Sequence, residues 1–210
     1  MSLGINLGSL QKMLKCAGND DTITLRAQDG GNDITATFES QNQTRVSHFS
    51  LKLMDIDSEH LGIPDTEYQC VARMQATEFQ RICKELAILG DTVKITANKD
   101  GIKFDVAGDL GTGAIVFKPG DGGMSDDERD DNEALLGIKA EEETLLTFAL
   151  RYLNFFAKAT PLSSAVTLKM SPDVPLVVEY MIADGNLGHL RFYLAPKARR
   201  LPPHTLFALP

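Results

Sequence analysis

The 210-residue chain holds 21 Lys and Arg against 29 Asp and Glu, a formal charge of −8, with 43% of its residues hydrophobic. That apolar share supports a packed core in one large or two small domains, and no apolar run approaches the length of a membrane-spanning helix. Three cysteines without C-x-x-C spacing argue against a disulfide frame or a zinc site, so the expectation is reduced thiols in an intracellular protein.

A basic amphipathic helix followed by two strands recurs three times along the chain. In the first copy Leu10, Met13, Leu14 and Ala17 follow i, i+3, i+4, i+7, which predicts a helix over Leu10–Ala17. Lys12 and Lys15 fall off that stripe. From Thr22 the chain alternates: Ile23, Leu25 and Ala27 point one way, Thr22, Thr24 and Arg26 the other. The DGG at Asp29–Gly31 marks a hairpin turn, and Val46–Met54 is a further extended run. Asp55–Glu67, polar with a Gly and a Pro, reads as a linker.

The second copy places Phe79, Ile82, Cys83 and Leu86 on the stripe and Arg81 and Lys84 off it. Strands follow from Thr92, with a turn at Asp100–Gly101 and another extended run at Gly111–Phe117. The region 118–134 lacks apolar content and reads as an acidic loop without regular structure. In the third copy, Ala149–Thr160, Leu153, Phe156 and Ala157 face inward, while Arg151 and Lys158 sit a heptad apart on the exposed side. Strands from Ala165, a turn at Ser171–Pro175 and the run Leu190–Pro196 complete it. Cys16 and Cys83 are expected buried on their helices. The unit is a strand–helix–three-strand module, an α+β plan with helices on one face of antiparallel sheets.

Acidity is uneven. Asp121–Glu133 and Glu141–Glu143 concentrate carboxylates while the repeated helices stay basic, so the local pattern rather than the net charge governs what a polyanion meets. Signals for catalysis are weak. Asp55, Asp57 and Glu59 alternate as in some metal sites, giving a metal-dependent nuclease as one rival reading, but no second cluster converges on them. GDLGTG at Gly108–Gly113 leads into a strand, not a helix, and so reads as a turn rather than a phosphate loop. The four histidines lie in separate elements. No enzyme activity, cofactor or metal is expected.

The strings GINLGSLQKMLKCAGNDD, KLMDIDSEHLGIPD, LTFALRYLNFFAKATPLS, VPLVVEY and GHLRFYLAPK closely resemble the proliferating cell nuclear antigen family of eukaryotic sliding clamps, nearly from end to end. The resemblance implies the sliding-clamp fold and a nuclear homotrimeric ring that encircles duplex DNA without reading its sequence. Such a ring is a processivity factor for DNA polymerase and a platform for the clamp loader, flap endonuclease and DNA ligase. By this similarity Lys12, Lys15, Arg81, Lys84, Arg151 and Lys158 would face the DNA. Scattered cations supply a salt-sensitive attraction that a sliding tether needs. Leu61, Ile63 and Pro64, with Pro175, Tyr193, Ala195 and Pro196, match a pocket for hydrophobic partner peptides. Lys99 matches a ubiquitin-acceptor lysine. Pairing of the edge strand containing Val46, Phe49 and Leu51 with that containing Gly111, Gly113 and Ile115 would join subunits.

The resemblance also sets the expected domains. Residues 1–54 would be the second half of an N-terminal clamp domain whose first half is missing. Residues 55–66 would be the interdomain connector, 67–197 a complete C-terminal domain, and 198–210 a tail without regular structure. Family chains hold four modules and this one has three, so Leu10, Met13 and Leu14 are expected to be exposed. An incomplete gene model, an isoform that binds partners or subunits without closing a ring, and a deliberately shortened chain are the open explanations.

Overall fold

The computed structural model describes residues 3–56, 66–119 and 137–197, in two compact units divided at residues 64 and 65. The linker residues 57–65, the acidic segment 120–136 and the tail 198–210 lie outside the described residues.

In unit 1, helix α1 (Leu7–Leu14) starts behind Asn6, whose Oδ1 accepts a hydrogen bond from the Ser9 amide at 2.9 Å. A side-chain acceptor at this position satisfies an amide that has no partner within the helix. The cap moves the helix ahead of the window read from periodicity. Cys16 therefore lies past the C-cap Lys15 and is exposed, not buried as expected. Strands β1 (Thr22–Ala27), β2 (Asp33–Glu39) and β3 (Val46–Lys52) form an antiparallel sheet in that order. Gly30, at φ 72°, supplies the left-handed residue of the β1–β2 turn.

The core of unit 1 is small: Met13, Ala36 and Phe38, flanked by Leu10, Ala17, Phe49 and Leu51. Met13 is thus buried and Leu10 half-buried, because the sheet covers them. This corrects the expectation that both stand in water. Among the three residues named, only Leu14 is exposed, and it is joined by Leu7, Ile23 and Leu25.

Unit 2 contains two copies of the module. The first runs β4 (Cys70–Gln75), α2 (Ala76–Leu89), β5 (Thr92–Asn98), β6 (Gly101–Gly108) and β7 (Gly111–Phe117). The second runs β8 (Gly137–Ala140), β9 (Thr144–Ala149), α3 (Leu150–Phe156), β10 (Ala165–Met170), β11 (Leu176–Ile182) and β12 (Gly188–Leu194). Gly108–Gly113 spans the tight β6–β7 turn, as expected. After Phe156 the chain tightens into a 3-10 turn, Ala157–Leu162, containing Pro161. A proline ring clashes with the carbonyl four residues back and has no N–H to give, so the helix read over Ala149–Thr160 stays α-helical only to Phe156.

The two copies interlock. Strand β4 leaves its own copy to pair with β10, and β9 pairs with β5, giving sheets ordered β12-β11-β10-β4-β8 and β7-β6-β5-β9. Over them α2 and α3 pack side by side. Gln80 Nε2 donates to the Ala157 carbonyl at 2.9 Å and Asn154 Nδ2 donates to the Cys83 carbonyl at 3.0 Å. One continuous core results, including Phe79, Ile82, Phe104, Phe148, Leu153 and Leu168. Gly108 allows its close approach to α2: a Cβ there would stand 1.9 Å from the Leu89 carbonyl oxygen. The architecture is α+β, with helices on antiparallel sheets.

Candidate nucleic-acid interface and partner surfaces

The apolar stripes that seat the helices on their sheets fix which side chains face water. In α2 the stripe of Phe79, Ile82, Cys83 and Leu86 is buried, leaving Arg81 and Lys84 exposed. In α3 Leu150 and Leu153 are buried, with Arg151 exposed beside them and Lys158 exposed on the following 3-10 turn. These four cations share the solvent side of one helical layer. Lys12 and Lys15 are exposed on and just beyond α1 in unit 1.

Their surroundings differ. Arg81 lies between two carboxylates, 3.4 Å from Glu78 and 3.3 Å from Glu85, which offset part of its field although exposed pairs of this kind contribute little stability. Lys84 Nζ donates to Gln80 Oε1 at 3.1 Å. Arg151 instead stacks over the Tyr152 ring, 4.5 Å from its centroid, and Nη2 donates to the Tyr152 hydroxyl at 2.7 Å. Lys158 Nζ lies 5.2 Å from the Phe155 centroid. Aromatic faces hold cations without neutralising them. Tyr152 and Phe155, themselves in an edge contact at 6.4 Å, escaped the sequence reading. Their position off the apolar stripe, each within three residues of a cation, was the available signal.

The two edge strands are also present. β3 ends the three-stranded sheet and β7 ends the four-stranded one, each with one side unpaired among the described residues. Val46 is exposed, whereas Phe49 and Leu51 turn into the core of unit 1, and Ile115 packs on that of unit 2. Gly111 has φ 142° in the β6–β7 turn, and a Cβ on Gly113 would meet Leu89 at 2.7 Å. Local geometry therefore accounts for both glycines, and the two edges offer unpaired backbone groups beside the exposed side chains of Val46 and Val116.

The register of Leu176 opposite Leu194 gathers Pro175, Tyr193, Ala195 and Pro196 at the open end of the β11–β12 hairpin. Pro175 and Ala195 are exposed and Tyr193 is half-buried. Burial, then the neighbouring Tyr193, pushes the Tyr68 hydroxyl pKa up. Leu61, Ile63 and Pro64 lie outside the described residues. Lys99 is exposed in the β5–β6 turn, where Asn98 Oδ1 accepts from the Asp100 amide at 2.9 Å. Asp55 is exposed, Asp57 and Glu59 are not among the described residues, and no metal-binding cluster occurs among those that are.

Behind the hairpin, Glu179 is buried between Lys169, at 3.0 Å, and Arg191, which also hydrogen-bonds it. Burial alone would raise its pKa; hydrogen bonds from Arg191 and Lys169 outweigh that together and hold it below the usual value.

Comparison with known families decides the assignment. Residues 62–197 match the family model for the proliferating cell nuclear antigen C-terminal domain, and residues 1–60 match that for the N-terminal domain. The chain belongs to the proliferating cell nuclear antigen family. This family is a DNA sliding clamp, a non-enzymatic scaffold in DNA replication and repair. The modules, sheets and helices of the clamp fold are those described above. None of its helices is long and apolar enough to cross a membrane among the described residues.

Proposed function

We propose that this clamp protein acts in the nucleus as a processivity factor, tethering a DNA polymerase to duplex DNA within a homotrimeric ring. The observation that carries this reading is the paired α2–α3 layer, with Arg81, Lys84, Arg151 and Lys158 all on its solvent side. A layer of long, solvent-facing cations attracts phosphate without pinning to any base. Lys12 and Lys15 extend the same role to unit 1. Subunits join by pairing β3 of one chain with β7 of the next, which satisfies backbone groups at both edges. Pro175, Tyr193, Ala195 and Pro196, with Leu61, Ile63 and Pro64 of the connector, receive hydrophobic peptides of a polymerase, the clamp loader, flap endonuclease and DNA ligase. Lys99 is an accessible acceptor for modification.

The test is charge reversal at Lys15, Arg81 and Lys158. Primer extension on a circular template should become distributive, and the dependence of DNA affinity on log salt should flatten by about 0.9 for each phosphate no longer neutralised. Extension lengths and a salt slope equal to those of the wild type would overturn the DNA-facing assignment. Ring formation is read separately, from a mass that is a multiple of three chains.

A further inference from the structure

Unit 1 repeats the second module of unit 2 at one constant offset of 143 residues: α1 starts at Leu7 and α3 at Leu150, β1 at Thr22 and β10 at Ala165. The correspondence extends to detail. Met54 donates its amide to the Gly4 carbonyl at 3.0 Å, and at the same offset Lys197 donates to the Thr147 carbonyl at 2.8 Å. The segment before α1 is thus held where β9 is held before α3.

In unit 2 every such module is completed by another. The strand before each helix pairs with the first hairpin strand of the other copy, and Gln80 and Asn154 exchange reciprocal hydrogen bonds across the helices. Among the described residues, unit 1 carries the same parts without the other copy. Ile23 and Leu25 are 45% and 52% exposed, while their counterparts Val93, Ile95, Val166 and Leu168 are wholly buried. Leu7 and Leu14 are 75% and 38% exposed, against buried Ala76 and Cys83 in α2. Gln11, the counterpart of Gln80 and Asn154, is exposed.

We infer that unit 1 is a docking surface for a second copy of this chain, related by a two-fold axis. What unit 2 joins is a reciprocal pair, and one module carries both halves of each contact: a β1 edge unpaired among the described residues with a strand-like segment to fill it, and Gln11 with the Leu14 carbonyl to receive it. A surface complementary to itself in this way closes as an isologous dimer. By the register of Val93 with Phe148 and Val166 with Met74, Ile23 of one copy lies opposite Ile5 of the other. Thr22 and Leu25 lie opposite Asn6 and Leu3. The contact uses the β1 edge and leaves β3, at the far side of the sheet, free for the ring contact.

Mass measurement by light scattering on the 210-residue protein tests this. Pairing predicts an even number of 22.9-kDa chains, halved by Ile23→Asp with Leu25→Asp. Two chains falling to one supports the pairing and speaks against the ring; six falling to three supports both. A mass that the aspartates leave unchanged means that no second copy covers the face, and overturns the pairing. Because those aspartates could unfold unit 1, a second experiment uses Ile5→Cys with Ile23→Cys in a Cys16→Ser background. A short thiol cross-linker should then give a covalent dimer at least tenfold more abundant than in either single-cysteine variant. Equal yields in all three would overturn the register.

Discussion

Single side chains in this clamp protein behave according to what surrounds them rather than to residue type. The three thiols separate cleanly. Cys83, on the core-facing stripe of α2, is buried and its pKa is pushed up to about 12 by that burial; Cys70, buried on β4, is raised to about 11; Cys16 is exposed. Since the thiolate is the reactive form, iodoacetamide at mildly alkaline pH should alkylate Cys16 while the other two stay intact until the protein unfolds. Peptide mass mapping checks this, and early labelling of Cys83 would contradict the packing described. Tyr193 presents a half-buried ring at the open end of β11–β12. Replacing it with Ala should weaken a hydrophobic partner peptide by about 1–3 kcal/mol, roughly fivefold to 150-fold, in line with the removal of an aromatic anchor. Titration calorimetry reads the change, and an unaltered affinity would remove Tyr193 from the pocket.

At the level of elements, the pairs that interlock carry the stability. Phe79 of α2 is wholly buried, so Phe79→Ala should cost about 3–5 kcal/mol through lost transfer energy and the cavity left behind. Urea unfolding of unit 2 measures it. Strands β10, β11 and β12 are tied by the Lys169–Glu179–Arg191 cluster. Because the folded pKa of Glu179 is depressed, its contribution is present above the ordinary carboxylate range and is lost as pH falls through the folded value. Glu179→Gln should therefore destabilise at neutral pH by about 1.5–3 kcal/mol and flatten the fall in stability on acidification. Parallel acid titrations of the two proteins would expose any error in that sign.

Over the molecule as a whole, the two units are unequal. Unit 2 joins two modules around one core with many wholly buried side chains, whereas unit 1 rests on Met13, Ala36 and Phe38. Each large apolar side chain fully buried contributes about 1.5–3 kcal/mol, and Ile23 and Leu25 withhold much of theirs. Amides of β1 and β2 in dilute protein should accordingly exchange with deuterium well before those of β5, β6 and β11, through local opening. Uniform protection across both units would contradict this ordering. Raising protein concentration should slow exchange in β1 selectively if a second copy covers it.

Much of this architecture is legible in the chain itself. Period-3.6 stripes such as Phe79, Ile82, Cys83 and Leu86, alternation through Thr22–Ala27, and turn residues at Gly30 and Gly101 are local features, and local sterics decide them. They suffice to mark the repeat and to separate cations from the buried faces. Other features depend on contacts between distant residues. Only the folded chain reveals that β4 and β9 exchange places between copies, that Asn154 and Gln80 register the helices, and that Arg151 and Lys158 rest on aromatic rings. Leu10 and Ile23 both look apolar in sequence, yet one packs on a sheet and the other meets solvent. Whether an apolar side chain is buried is a property of the surface brought against it, and that surface is assembled by tertiary pairing.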